Sequence, residues 1–284
     1  MRKLYFILII PVLALSFSAV NVFTGSLEEE LFPKVKHHSF SRGEVLNYRV
    51  NYGMFSIGEA KIEIEHKLHK VNLRDSYKLD VYGKTKGFTG WVIDVDDQWG
   101  VYLDTASLLP HISYRNIKEG KYRKNEIVRF DHKSKNIEIK VLDQKKGSYK
   151  IPEYFYYPIV PDREIQVRDI LGGYMYLRTL DFKKINPGDT VVLSGFFEDT
   201  FYDLQMTFRG RETIKTRAGK FNAIKLTPLV PENELFNGRD SVVAWFSDDD
   251  NKMPLRIEAK MFIGSVFIEL TDYKGLRNKP ALLP

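Results

Sequence analysis

The chain has 284 residues, 43 Lys plus Arg against 37 Asp plus Glu, a net charge of +6, and no cysteine. That absence excludes disulfides, thiolate metal ligands and a thiol nucleophile, so stability must come from the size of the core. Basic residues are interspersed with acidic ones and form no positive stripe, which argues against a nucleic-acid partner, while 19 Phe, 16 Tyr and 3 Trp favour strands, where wide rings pack across a pleated face.

The amino terminus reads as a secretion signal over residues 1–20. Met1-Arg2-Lys3 is positive, Leu4 to Ile10 and Val12 to Leu15 are apolar around Pro11, and small residues follow at Ser16, Ser18 and Ala19. The apolar run is shorter than the about 20 residues a bilayer span needs. No stable membrane span is therefore expected after cleavage. A lipid anchor at such a signal needs a cysteine, so the expectation is a soluble periplasmic protein that is not a lipoprotein. Residues 21–43 read as a polar, loosely attached leader and 273–284 as an exposed tail.

Between them, residues 44–272 read as a β-rich domain, divided, if anywhere, near 145–165. Leu46, Tyr48, Val50 and Tyr52 alternate, and Ala60, Ile62 and Ile64 oppose Lys61, Glu63 and Glu65. One apolar and one charged face mark antiparallel strands wet on one side. The pattern recurs at Tyr77, Leu79, Val81; at Trp91, Ile93, Val95; at Val101 and Leu103; at Ile112 and Tyr114; and more weakly at Ile137, Ile139, Val141. One segment breaks it: Ile170, Leu171, Tyr174 and Leu177 share a helical face within 168–180, with Asp169 placed to cap the start. Gly172-Gly173 weakens such a helix by up to roughly 2 kcal/mol, so it should lie against a sheet; two strands joined at the glycines are the alternative. Strand patterns return at Val191 to Phe197, Tyr202 to Phe208, Phe221 to Leu226, Val243 with Trp245, and Leu255 to Ala259, and Phe262 to Leu270 completes a closing hairpin; residues 231–240 read as a loop.

No catalytic or metal motif emerges. His66 and His69 have H-x-x-H spacing, but on a strand an odd separation puts them on opposite faces; His37-His38 is weaker still. Asp94, Asp96, Asp97 and Asp104 resemble part of a calcium loop, yet Trp99 stands where the turning glycine belongs and Thr105 where glutamate does. Asp248-Asp249-Asp250-Asn251 is accounted for by turn chemistry. There is no G-x-S-x-G and no G-x-G-x-x-G. No catalytic residue, metal or cofactor is expected.

Short motifs run in order through the chain: Gly43-Glu44-Val45-Leu46-Asn47-Tyr48, Gly58-Glu59-Ala60, Ala218-Gly219-Lys220-Phe221, Val243-Ala244-Trp245-Phe246, Met253-Pro254-Leu255-Arg256 and Gly264-Ser265-Val266-Phe267. With these the region 40–272 resembles the uncharacterised domain of unknown function 3108 family, most closely its Bacteroidetes-type exported members. The resemblance implies export in a Gram-negative bacterium and no established catalytic residues. The architecture expected is mainly β, a curved antiparallel sheet or two, with the helix on the concave face in a layout like that of periplasmic lipoprotein carriers. The function expected is non-enzymatic binding of an apolar or amphipathic envelope ligand (lipid or glycolipid, or an envelope protein partner), with Tyr174, Leu177 and Trp245 lining a cavity between helix and sheet. A structural or interaction role in the envelope, and hydrolysis of an envelope polymer, are the alternatives.

Overall fold

The computed structural model describes residues 29–85, 94–159, 165–229, 241–260 and 264–284. The signal, Trp91 and Ile93, the loop at 231–240 and Phe262 lie outside the described residues. The first half of the chain forms β1 (Val45–Tyr52), β2 (Phe55–Ile64), β3 (His69–Val71), β4 (Arg74–Thr85), β5 (Asp96–Asp104), β6 (Pro110–Glu119), β7 (Tyr122–Asp131), β8 (Asn136–Asp143), β9 (Ser148–Tyr149) and β10 (Glu153–Tyr156). After the helix α1 (Ile170–Leu177) come β11 (Thr190–Phe197), β12 (Thr200–Thr216), β13 (Gly219–Pro228), β14 (Val242–Ser247), β15 (Pro254–Lys260), β16 (Ser265–Lys274) and β17 (Leu282–Leu283).

Two antiparallel meanders, β4 to β8 and β11 to β16, meet through β1, which pairs with β2 on one side and β16 on the other. The ladder thus runs from β11 to β10, with β3, β9 and β17 as short additions. The mainly-β reading holds, with little helix among the described residues. The expected curvature does not. Pairing produces an open sheet, neither curled nor closed: at its ends β10 pairs with β8 and β11 with β12, and among the described residues no ladder joins β10 to β11. Without a concave face the lipoprotein-carrier layout falls too. The inference failed because aromatic content reports strand preference, whereas sheet shape is set by register and bulges that composition does not encode.

The helix is short because its sequence allows little more. Asp169 caps it, accepting from Gly172 N at 2.9 Å and Leu171 N at 3.3 Å, and the pair Gly172-Gly173 brings its first turn close to Leu103 and Pro110, which a Cβ at Gly172 would approach. It is wedged rather than laid on a face. Leu171 and Met175 join Phe40, Leu79, Val101 and Leu103, whereas Leu177 joins Met206, Phe208, Leu226 and Phe246. Just before it, residue 168 exchanges backbone bonds with β11 through Ser194 and Phe196, which covers that strand's free edge.

Leader and tail are both tied to the sheet. Phe40 is fully buried, Val35 N donates to Ala106 O, and Arg277 and Asn278 bond carbonyls of residues 37 to 40. At the junction Arg178 donates to Glu44 at 2.5 and 2.9 Å, to Ser39 O at 3.1 Å and to Asn251 O at 2.9 Å. Arg178 and Glu44 are 0% and 1% exposed. This one guanidinium fastens the leader, the helix end and the β14–β15 turn.

Candidate functional site

A half-open cleft of about 1150 Å³ lies where the β3–β4 turn, the start of β6 and the β7–β8 turn meet the leader. Leu31, Phe32, Ile112 and Phe130 give it apolar surface; Arg74, Arg129, Lys133 and Lys135 face Glu30, Asp131 and Glu138 around it. Its construction begins at the β3–β4 hairpin. Asn72 and Leu73 both take positive φ, 50° and 64°, the pattern of a two-residue type I′ turn. Leucine pays for that conformation, and its side chain stands almost wholly in solvent at the cleft edge.

Asp104, at the end of β5, organises the next wall. Its Oδ1 accepts from Ala106 N (3.0 Å), Ser107 N (2.7 Å) and Ser107 Oγ (2.9 Å), an Asx-type turn, and its Oδ2 accepts from Arg74 Nε at 2.6 Å. Leu108, buried with φ 56°, completes the turn. The chain thereby delivers His111 beneath the cleft, with Nε2 at 3.7 Å from Asp104 Oδ2, longer than a hydrogen bond, and Nδ1 at 3.5 Å from Asn72 Nδ2. Burial pushes the Asp104 carboxyl up, but His111, Arg74 and Ser107 outweigh it and hold it well below the usual carboxylate range.

His132 follows β7. Its Nε2 lies 2.7 Å from Pro110 O, an acceptor only, so Nε2 carries the proton; Nδ1 then accepts from the Tyr157 hydroxyl at 3.0 Å. Burial lowers its pKa to about 4, with Arg168 and His111 acting in the same direction, and burial raises the Tyr157 hydroxyl. Phe32 closes the arrangement from above, its ring centroid 5.6 Å from both imidazoles and 4.2 Å from the Arg74 guanidinium. Ser107 spends its hydroxyl on Asp104, His132 has both nitrogens engaged, and among the described residues no group of three His, Asp or Glu is placed to hold a metal.

Tyr174 and Leu177 come together on the helix, Tyr174 facing Phe246 at 6.4 Å. Trp245 sits elsewhere, with Leu46, Ile214 and Leu255, and donates its indole N–H to Glu212. It and Phe246 point to opposite faces of β14, and both are buried. None of the three lines the cleft, and the space beside the helix start amounts to about 30 Å³, room for one water. His66 is exposed and His69 pairs with Glu65 at 2.8 Å. Asp96 and Asp97 fall within β5, and Asp249 ties the β14–β15 turn through Ser247, Asn251 and Lys252. Sequence reasoning missed His111 and His132 because neither belongs to a motif; the one available signal was Asp104-x-x-Ser107 as an Asx turn.

No curated protein matches this chain. Among solved structures, a β-barrel-like protein of domain of unknown function DUF1849 from Brucella abortus is similar at 9% identity and TM-score 0.52, covering 83% of this chain and 98% of that one. An exported-type protein with a YmcC-like fold from Bacteroides fragilis covers 83% and 97% at 10% identity, with a TM-score of only 0.28. The first likeness is one of fold. The family model for Protein of unknown function (DUF3108) matches residues 47–271, the span from β1 to β16 that carries both meanders, the helix and most of the cleft, and the chain belongs to that family.

Proposed function

We propose that this protein is an exported binding protein of the periplasm that holds an amphipathic envelope molecule in the cleft beneath Phe32. The cleft itself carries the reading: an opening of about 1150 Å³ with apolar side chains inside and charged groups around it is the usual form of a small-molecule site. Arg74 is paired with Asp104, which leaves Arg129, Lys133 and Lys135 against Glu30, Asp131 and Glu138, a balance that suits a polar or zwitterionic head group. The amino-terminal pattern supports export, and no helix among the described residues is long and apolar enough to cross a membrane. Native mass spectrometry of the protein taken from its own envelope fraction tests the reading, alongside titration with the anionic probe 1-anilinonaphthalene-8-sulfonate. Bound mass and probe binding are expected, both lost in Phe32→Asp, which puts a carboxylate in place of the ring over the cleft. A protein that carries nothing and ignores the probe overturns it.

A second reading, an interaction component of the envelope, has one observation in its favour. Beside β10, whose only partner among the described residues is β8, Ile151, Tyr156 and Ile159 stand 90%, 72% and 97% exposed. Cross-linking in intact cells from a photoreactive residue at 156 distinguishes it, since a pure carrier would capture no protein there.

A further inference from the structure

One face of the first meander carries a hydrogen-bonded ribbon of side-chain amides, ending on the buried Asp80 carboxylate, that the cleft does not use. Gln144 Nε2 donates to Asn125 Oδ1 at 2.6 Å, Asn125 Nδ2 to Asn116 Oδ1 at 2.5 Å, Asn116 Nδ2 to Gln98 Oε1 at 3.2 Å, and Gln98 Nε2 to Asp80 Oδ1 at 2.9 Å. The Tyr114 hydroxyl donates to the same Asp80 oxygen at 2.6 Å. The ribbon exists because the register places these residues side by side: Tyr82 opposite Gln98, Gln98 opposite Asn116, and Asn116 opposite Asn125. Gly100 contributes by having no side chain, so that the Tyr114 ring from the next strand lies across it where a Cβ would stand.

Three properties identify what such a surface recognises. An amide has two N–H donors and two acceptor positions, and in Gln98, Asn116 and Asn125 the ribbon engages one of each. The remaining donor and acceptor are repeated at the strand spacing of about 4.8 Å, a step comparable with one sugar ring. The mutual bonds fix the amides beforehand, so a ligand need not order them. Beside the ribbon the ring of Tyr82 borders a shallow groove of about 360 Å³ shared with Asn47, Lys61 and Thr271, which offers an apolar ring face next to polar groups.

Charged groups flank the amides. Lys61 pairs with Glu63 at 2.5 Å, Lys78 lies 2.5 Å from Glu65 and 3.3 Å from Asp80, and Lys118 lies 3.7 Å from Asp96, while Lys84 borders the groove and Arg123 stands beside Asn125 with its guanidinium on the carbonyls of Gly120 and Tyr122. The repeated donors and acceptors at the centre of the face come from the amides alone. We propose that the outer face of β4 to β7, centred on Tyr82, Gln98, Asn116 and Asn125, binds oligosaccharide chains through their hydroxyl groups.

Titration of the 15N-labelled full mature chain with cellohexaose, maltohexaose and chitohexaose tests the proposal, read on the Asn and Gln side-chain amide resonances. At least one hexasaccharide is expected to shift Gln98, Asn116 and Asn125 and to bind more tightly than about 1 mM. Gln98→Ala and Asn116→Ala should each weaken that binding about tenfold with unchanged thermal unfolding, while Lys183→Ala, far from the face, leaves it as it was. The proposal is overturned if none of the three binds or if binding survives both variants. Phe32→Asp alters the cleft from the leader and leaves the strands of the ribbon unchanged, so the fate of the cleft reading is scored separately.

Discussion

Glu44→Gln removes one charge from a pair that water does not reach, and its effect can be sized from the geometry. Arg178 keeps its bonds to Ser39 O and Asn251 O, but the guanidinium loses the carboxylate that it meets at 2.5 and 2.9 Å. An unbalanced charge at 0% exposure cannot be rehydrated without opening the leader. Breaking such a pair from one side costs about 3–5 kcal/mol. For a domain of this size each kcal/mol moves Tm by about 2–4 °C, so a fall of roughly 6–20 °C is expected. The double variant Glu44→Gln with Arg178→Met removes both charges and should fall short of the summed single effects by about 2 kcal/mol. Urea unfolding followed by tryptophan fluorescence measures all four proteins, and hydrogen exchange should show residues 39–44 and the end of α1 loosening together. A Glu44→Gln cost below about 1 kcal/mol, or strict additivity, would refute the claim that this pair is the junction's fastener.

Two buried groups act on stability with opposite sign across one pH window. His132, held down to about 4 by burial, binds its proton more readily when unfolded, so stability is lost as pH falls from about 6.5 to about 4, by about 3 kcal/mol in full. Asp169, pushed up to about 6 by burial, binds its proton more readily when folded, so stability is lost as pH rises from about 4 to about 6, by a similar amount. His132→Gln should therefore lose stability less steeply than the wild type on acidification, and Asp169→Asn more steeply; parallel pH profiles for either variant and the wild type would contradict the assignment. Gly100→Ala places a methyl group against the Tyr114 ring and should displace it from Asp80, with loss of about 1–3 kcal/mol and of the Tyr114 hydroxyl's slowed exchange. A stability change under about 0.5 kcal/mol would show that the ring is not held there.

How far the fold was legible depends on whether the cause is local. Alternation at Leu46–Tyr52 and Ala60–Ile64 marks strands because a half-wet sheet imposes period two on its own sequence. Asp169 and the helix behind it were visible for the same reason, since a cap is a neighbour effect. The joining of the two meanders was not. That β1 pairs with β16 rests on residues more than two hundred positions apart, such as Tyr48 opposite Leu270, and no local pattern encodes a partner at that distance.

The candidate site was illegible for a related reason, and the outer ribbon shows why. Gln98, Asn116 and Asn125 are ordinary polar residues in sequence; their meaning appears only once register sets them shoulder to shoulder on adjacent strands. His111 and His132 likewise become a pair only because the Asp104 turn and the end of β7 converge under Phe32 from a leader some eighty residues earlier. The sequence motifs weighed at first, H-x-x-H and the aspartate runs, are devices that concentrate ligands within one short segment. This fold assembles its polar groups across strands instead, one from each.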